Sequence, residues 1–467
     1  MRKTKTSGVL LVFILIFCML LEACGGTTTD TTVEPEEVEA SEPEIIEIVD
    51  LSDAWDTILN GSTKAFIGGH PIDEGFLGYV TAQFGSDIIQ EIASYANFET
   101  PEIWYTCTGK SIHVLWYEYC EDTGIQNYSL ENTYVFDSSL DDEIVLDFTG
   151  DFSLAENIGT TDYMNNQMNG ILDCFSDNLI TEMHSADILM INNEFAYTSR
   201  GEALIGKTYT FRADPGSVEL LNTLGVDVAG IANNHVYDYG EIGLIDTIDT
   251  LEDANIAYVG AGRDLDDATT PLYFIVGGRK IAIVAATQIE RTLNFTKEVT
   301  EDSAGVLKCL HPEKFCAEIS EAKENADYVI AFVHWGTEGN AHYGSDQVSL
   351  ARSFVEAGAD VIIGGHTHCL EAVEYMDDVP IFYSLGNFYF SVSATMPSPY
   401  NTGIAQIRIK SDGSIEAYFK PCYFDNGVTS LLVNDDDAYG DIINYLNSLS
   451  STAEIDEDGL ISKKITE

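Results

Sequence analysis

The chain has 467 residues, and its 77 Asp and Glu against 22 Lys and Arg leave a formal net charge of −55. At about one domain per 150 residues this length predicts two or three domains, and the 45% apolar share is that of an ordinary globular protein. So large an acidic excess argues against nucleic acid as a partner, because that needs a basic footprint, and it predicts long-range repulsion of polyanions.

Arg2, Lys3 and Lys5 precede an apolar run from Val9 to Leu21, too short for a comfortable membrane span and suited to an export signal over residues 1–23. The run closes on Leu21, Glu22, Ala23 and Cys24, which resembles a bacterial lipobox. That resemblance implies lipidation at Cys24, a lipid anchor in the bacterial cell membrane and a working part on its extracytoplasmic face; a plain signal peptide cleaved nearby is the alternative. Residues 24–50 are rich in Thr, Glu and Pro and lack aromatic residues, which predicts a disordered acidic tether.

Residues 51–140 show mixed helical and strand-like patches at 87–95 and 111–119, predicting a small α+β accessory domain of unknown role. His70 and His113 fall there as isolated histidines of the ordinary surface or core kind. From about residue 141 to 433 the pattern is regular: apolar strand, polar loop, amphipathic helix. Helical spacing covers 170–184, 215–224 with Pro215 at its start, and 241–254, while 272–276 and 281–285 around Gly277 and Gly278 read as a hairpin. Residues 434–467 carry one helix, 438–449, and then polar sequence that need not be ordered. Cys107/Cys120 and Cys309/Cys316 are candidate disulfides in an exported chain, with buried free thiols the equal alternative.

Six apolar runs in this region stop on residues able to ligate a metal. Asp151 follows 144–149, Glu194 follows 187–191, and Asn234 with His235 follows 226–231. His334 then follows 328–333, His366 and His368 follow 361–363, and Asn387 follows 381–385. Ligands collect at the carboxyl ends of strands in open α/β sheets, and Asp, Glu, Asn and His together suit Mn, Zn or Fe better than Ca. A dinuclear centre is the expectation. His366 and His368, two residues apart, would share one face if the segment were extended. A polar residue at one strand end is an ordinary loop residue, but that explanation fails for five at equivalent positions.

These segments, Gly150–Asp151, Asn193–Glu194, Ala232–His235 with Asp238–Gly240, Val333–Gly336, Gly365–His368 and Tyr383–Phe388, resemble the CapA family of poly-γ-glutamate capsule biosynthesis proteins, over roughly residues 143–425. The resemblance implies a metallophosphoesterase-like α/β/β/α sandwich. It implies Asp151 and His368 as ligands of one metal, Asn234, His334 and His366 as ligands of the other, Glu194 as the bridging carboxylate and His235 as proton donor. The phosphoesterase pattern normally begins Asp, any residue, His, whereas Phe152 and Ser153 follow Asp151 here, and Glu194 stands where those enzymes carry aspartate. One ion is therefore the alternative to two.

An anionic substrate needs positive charge, and Arg200, Lys207 and Arg212 lie between the Glu194 and Pro215 segments as candidate anion contacts. Trp335 and Asn387 are candidate substrate contacts beside the ligands. The expected function is a membrane-anchored, metal-dependent hydrolase or transferase supporting an anionic envelope polymer, acting on that polymer or a phosphorylated substrate alongside membrane capsule-synthesis subunits. The rivals are a noncatalytic polymer-binding assembly subunit and a 5′-nucleotidase or phosphodiesterase.

Overall fold

The computed structural model describes residues 51–61, 72–125, 132–136, 143–390 and 401–464. The expected export signal, tether and Cys24 lie outside these residues, and no helix among the described residues is long and apolar enough to cross a membrane.

Two large sheets face each other. One runs in the order Thr133–Val135, Leu272–Val276, Arg279–Thr287, Tyr328–His334, Val361–Gly365, Val379–Phe382, Val373–Met376. The other runs Val428–Leu431, Ile415–Asp425, Asn401–Lys410, Glu143–Phe152, Ile188–Asn193, Val228–Gly230, Ala257–Val259, with Asn387–Tyr389 paired onto Glu143–Phe152. The strands are apolar almost throughout because both faces are buried. Along Ile188–Asn193, Ile188 and Met190 enter the core between the sheets with Phe148, Ile283 and Phe332, while Leu189 and Ile191 turn outward.

That outward face packs on Leu179, Leu221, Leu244 and Ile248, from helices Asp177–Ser185, Glu219–Leu224 and Gly240–Asp253. On the other sheet Val329, Ala331 and Val333 face Phe315, Ile319, Leu350 and Phe354, from helices Glu313–Asn325 and Ser345–Ala357. The period-2 alternation of the strands thus generates the four layers, helix, sheet, sheet, helix. The expected hairpin forms, with Arg279 opposite Val276 across Gly277 and Gly278.

Two expectations change. The N-terminal part is helical rather than α+β over its described residues up to Thr123, with helices Leu51–Gly61, Glu74–Phe84, Ser86–Ser94, Pro101–Thr108 and Ile112–Thr123. The patches at 87–95 and 111–119 are helices whose apolar residues fill a separate core around Phe76, Trp104 and Trp116. The nearby strand Thr133–Val135 pairs with Leu272–Val276 in the main sheet. This helical unit is clamped to the sheet by Arg279, which is buried, lies 3.7 Å over the Tyr105 ring and approaches Glu102 at 3.5 Å. Second, the polar tail after helix Asp437–Leu449 is an ordered hairpin, Ala453–Ile455 with Ile461–Lys463. Of the two alternatives open for the cysteines the free thiol is the one observed, all seven described cysteines being free.

Asp147, on a central strand, is fully buried; Gln406 Nε2 donates to its Oδ1 at 2.8 Å and its Oδ2 has no partner. Burial pushes its carboxyl up to about 7. The folded state therefore holds a proton that the unfolded chain loses near pH 4, so this site's contribution is full below about pH 4 and is lost as pH rises through about 7. Asp147→Asn keeps the acceptor for Gln406 and should raise Tm at pH 8 by at least about 2 °C while leaving it unchanged at pH 4, as thermal unfolding at the two pH values will show.

Candidate metal centre

Strands Glu143–Phe152, Ile188–Asn193 and Val228–Gly230 are mutually parallel, as are Arg279–Thr287, Tyr328–His334 and Val361–Gly365. The carboxyl ends of both sets meet at one edge of the sandwich. Gly150 permits a close approach there, since a Cβ on it would stand 2.1 Å from the Gly386 oxygen. The Asp151 N–H donates to that same oxygen at 2.8 Å, and the register sets Asn387 opposite Asp151.

Six of the residues named from the sequence meet here: Asp151, Glu194, Asn234, His334, His366 and His368. Ligand-capable atoms of Glu194, His334 and His366 form one group, and those of Asp151, Glu194 and His368 a second, each with its atoms within 4.8 Å of one another. Glu194 belongs to both. Asn234 Oδ1 joins the first group, 2.8 Å from His334 Nε2. Neither oxygen of Glu194 accepts a hydrogen bond although the residue is fully buried, and the buried Nδ1 of His366 is unpartnered as well. Unsatisfied donors and acceptors of this kind are costly and rare. A shared buried carboxylate flanked by imidazoles is a donor set that fits two divalent transition-metal ions.

Electrostatics prepares the same atoms. Burial, then the Asp151 carboxylate beside it, pushes Glu194 well above the usual carboxylate range. Burial pulls His334 down to about 3 and, with His334 adjacent, pulls His366 well below the imidazole range, so both rings are neutral; a neutral ring is the ligating form. Burial opposes the charge on Asp151 and His368 as well, but their mutual approach at 2.9 Å outweighs it, lowering the acid and raising the base. That approach lacks hydrogen-bond alignment at Asp151 Oδ2, and the aligned partner of His368 Nδ1 is Asn387 Oδ1 at 2.8 Å.

The histidine doublet is not extended. His366 and His368 have φ of 95° and 58°, left-handed conformations rare for residues with a side chain and concentrated at functional sites. The turn separates the two imidazoles, 6.1 Å apart, so that they serve different groups.

His235 is buried beside the cluster with Nδ1 2.8 Å from Asp238 Oδ2 and Nε2 4.0 Å from Glu194. Burial lowers its basicity against the pull of Asp238. Lys207 holds Asp238 at 2.6 Å and Glu290 at 3.3 Å, and also donates to the Asn234 carbonyl.

A pocket of about 590 Å³ opens on His235, His366, His368 and Asn387, and Lys207 lines it. Arg200 and Arg212 do not. Arg200 is exposed and paired with Asp246, and Arg212 lies 4.8 Å over the Tyr239 ring with Glu156 at 3.9 Å. Trp335, a candidate substrate contact from the sequence, is fully buried, donates from Nε1 to the Tyr383 carbonyl at 2.8 Å and packs in the sheet–helix core. Sequence reasoning missed the pocket cation Arg291, which no strand end marks, and Asn192, whose Nδ2 donates to Asp151 Oδ1 at 2.7 Å and lies 3.2 Å from His334 Nδ1. The alternation of Ile188–Asn193 was the available signal for Asn192, which follows the inward Ile188 and Met190.

Two facing sheets sandwiched between helices, with carboxylates and imidazoles gathered at the shared strand ends, define a protein of metallophosphoesterase-like fold. The profile of the family described as bacterial capsule synthesis protein PGA_cap matches residues 145–392, more than half of the chain, and the chain belongs to that family. Among relatives, the PGA biosynthesis protein CapA of Bacillus subtilis (strain 168) is 35% identical over 247 residues, covering 53% of this chain and 63% of that protein. The capsule biosynthesis protein CapA of Bacillus anthracis is 33% identical over 218 residues, 44% of this chain and 50% of that one. The chain thus spans about half to under two thirds of the length of these relatives. A solved structure of a hypothetical protein from Thermus thermophilus covers 60% of this chain and 99% of its own, at 17% identity and a TM-score of 0.36.

Asn192→Ala leaves the buried Asp151 Oδ1 without its side-chain donor. It should cost about 1–3 kcal/mol in urea unfolding of the metal-free protein, and an unchanged midpoint would refute the role given to Asn192.

Proposed function

We propose that this protein is a metal-dependent hydrolase or transferase of phosphoryl or acyl groups acting in poly-γ-glutamate capsule synthesis, anchored through Cys24 at the extracytoplasmic face of the membrane. The observation that carries the reading is Glu194: a fully buried carboxylate common to two ligand groups, with both oxygens unsatisfied. The names of the Bacillus relatives supply the capsule context.

Asp151, Asn234, His334, His366 and His368 with Glu194 would hold the ions. Two divalent cations supply Lewis acidity toward a phosphoryl or carbonyl oxygen. The chain's own contribution is orientation and a proton path. Asp238 fixes His235 through Nδ1, so Nε2 is the atom left to exchange a proton with the leaving group. Lys207 in turn holds Asp238, and Asn387 orients His368.

A noncatalytic assembly subunit is the second reading, favoured by Ser153 standing where the phosphoesterase pattern carries a histidine. His235→Ala separates the two. A catalyst should lose at least about 100-fold in kcat, the usual worth of a positioned acid or base, with metal content by elemental analysis unchanged; a binding subunit should show no change in polymer export. Glu194→Gln tests the shared ligand. Addition of Mn²⁺ should raise the Tm of the parent chain and leave the variant's unmoved, because only a ligand bound by the folded state stabilises it. An equal rise in both would remove Glu194 from the site.

A further inference from the structure

The wall of the pocket that faces the candidate ligands is aromatic. The Phe211 ring lies 4.5 Å from His235, the Phe390 ring 5.0 Å from His368, and the two phenyl rings meet edge-on at 5.5 Å. Phe295 continues the wall, and Tyr209 and Leu293 stand at the mouth, each 61% exposed. Single exposed apolar residues are common on any surface. Here two large ones border the same cavity and run on into its lining, a contiguous apolar surface of the kind that marks a ligand groove.

The charges in the lining point the same way. Among the described residues the lining has two Lys or Arg side chains: Lys207 is paired with Asp238 and Glu290, and Arg291 with Asp346 at 3.1 Å. Two carboxylates, Glu290 and Glu338, line the pocket as well. A run of successive carboxylates would meet cations already neutralised, two like charges and a phenyl wall, and would lose solvation with little return. Among the described lining residues, attraction for an anion is therefore confined to the metal-ligand cluster itself.

We propose that the pocket takes an amphiphilic substrate: one oxyanion centre, phosphoryl or carboxyl, seated at the cluster, with an uncharged apolar or aromatic group attached to it lying against Phe211, Phe295 and Phe390. The interior of a polyanionic chain does not enter. This rests on the metal-centre reading above and deepens it by naming the substrate class.

Two phosphonates with the same head and different tails test it. The full-length, Mn-loaded protein is titrated calorimetrically with phenylphosphonate and methylphosphonate, and metal content is measured on the same samples. The phenyl compound should bind at least about tenfold more tightly, a fraction of what burying five more carbons is worth. Phe295→Ala should cut that ratio to about threefold or less with the methylphosphonate Kd unchanged. Tyr209→Ser and Leu293→Ser, at exposed positions where folding is not at stake, should lower it in the same direction. Short γ-glutamate oligomers should not displace bound phenylphosphonate. Equal binding of the two phosphonates, a ratio indifferent to all three variants, binding of neither by metal-loaded protein, or displacement by the oligomers would each overturn the inference while leaving the metal centre standing. A protein that takes up no metal would instead overturn the proposed function, and this inference with it.

Discussion

The burial of Glu194 is the constraint around which the rest of the molecule is arranged. A carboxylate removed from water with neither oxygen hydrogen-bonded is a standing cost of several kcal/mol in its charged form. The fold tolerates it because Ile188–Asn193, which leads directly into it, is buried on both faces between a helix layer and the second sheet. The imidazoles beside it, His334 and His366, are forced neutral by the same burial. A single cause, low local polarity, thus leaves a proton-poor imidazole set around an unsatisfied acid.

The sandwich architecture makes that gathering possible. Asp151 and Glu194 come from one sheet, His334, His366 and His368 from the other, and neither sheet alone could bring the two carboxylates and three imidazoles together. Parallel strands in both sheets end at one edge, so the loops that follow them converge. The opposite ends of the same strands carry structural features: Arg279 against Tyr105 and Glu102, and His113 Nδ1 at 2.6 Å from the buried Asp327, tie the N-terminal helices to the sheet. The described N-terminal helices are thereby joined to the sheet far from the candidate centre.

Local charge matters more at the candidate centre than the net charge of −55. Screening limits long-range repulsion to about 8–10 Å at moderate salt, whereas pairs such as Lys207 with Asp238 act in a nearly dry environment. Arg200 and Arg212 carry the right charge in the right stretch of chain, yet they pair with Asp246 and Glu156 and do not line the pocket. Charge counted along a sequence does not say which way a side chain points.

The strands, the metal-capable residues at their ends and the layered α/β class were legible in the amino-acid order, because alternating burial and the abrupt change from apolar to polar are local properties written residue by residue. Asp151, Glu194, Asn234, His235, His334, His366 and His368 could all be named that way. Their division into two groups sharing Glu194 came only through the family resemblance and not from local pattern, because it depends on a left-handed turn at His366 and His368 and on the approach of ligands that lie more than a hundred positions apart in the chain. The aromatic wall was equally hidden. Phe211, Phe295 and Phe390 lie on three separate loops, and an isolated phenylalanine in a loop carries no local sign of whether it will enter a core, face water or line a pocket. That outcome is set by which surfaces meet when the sheets pack.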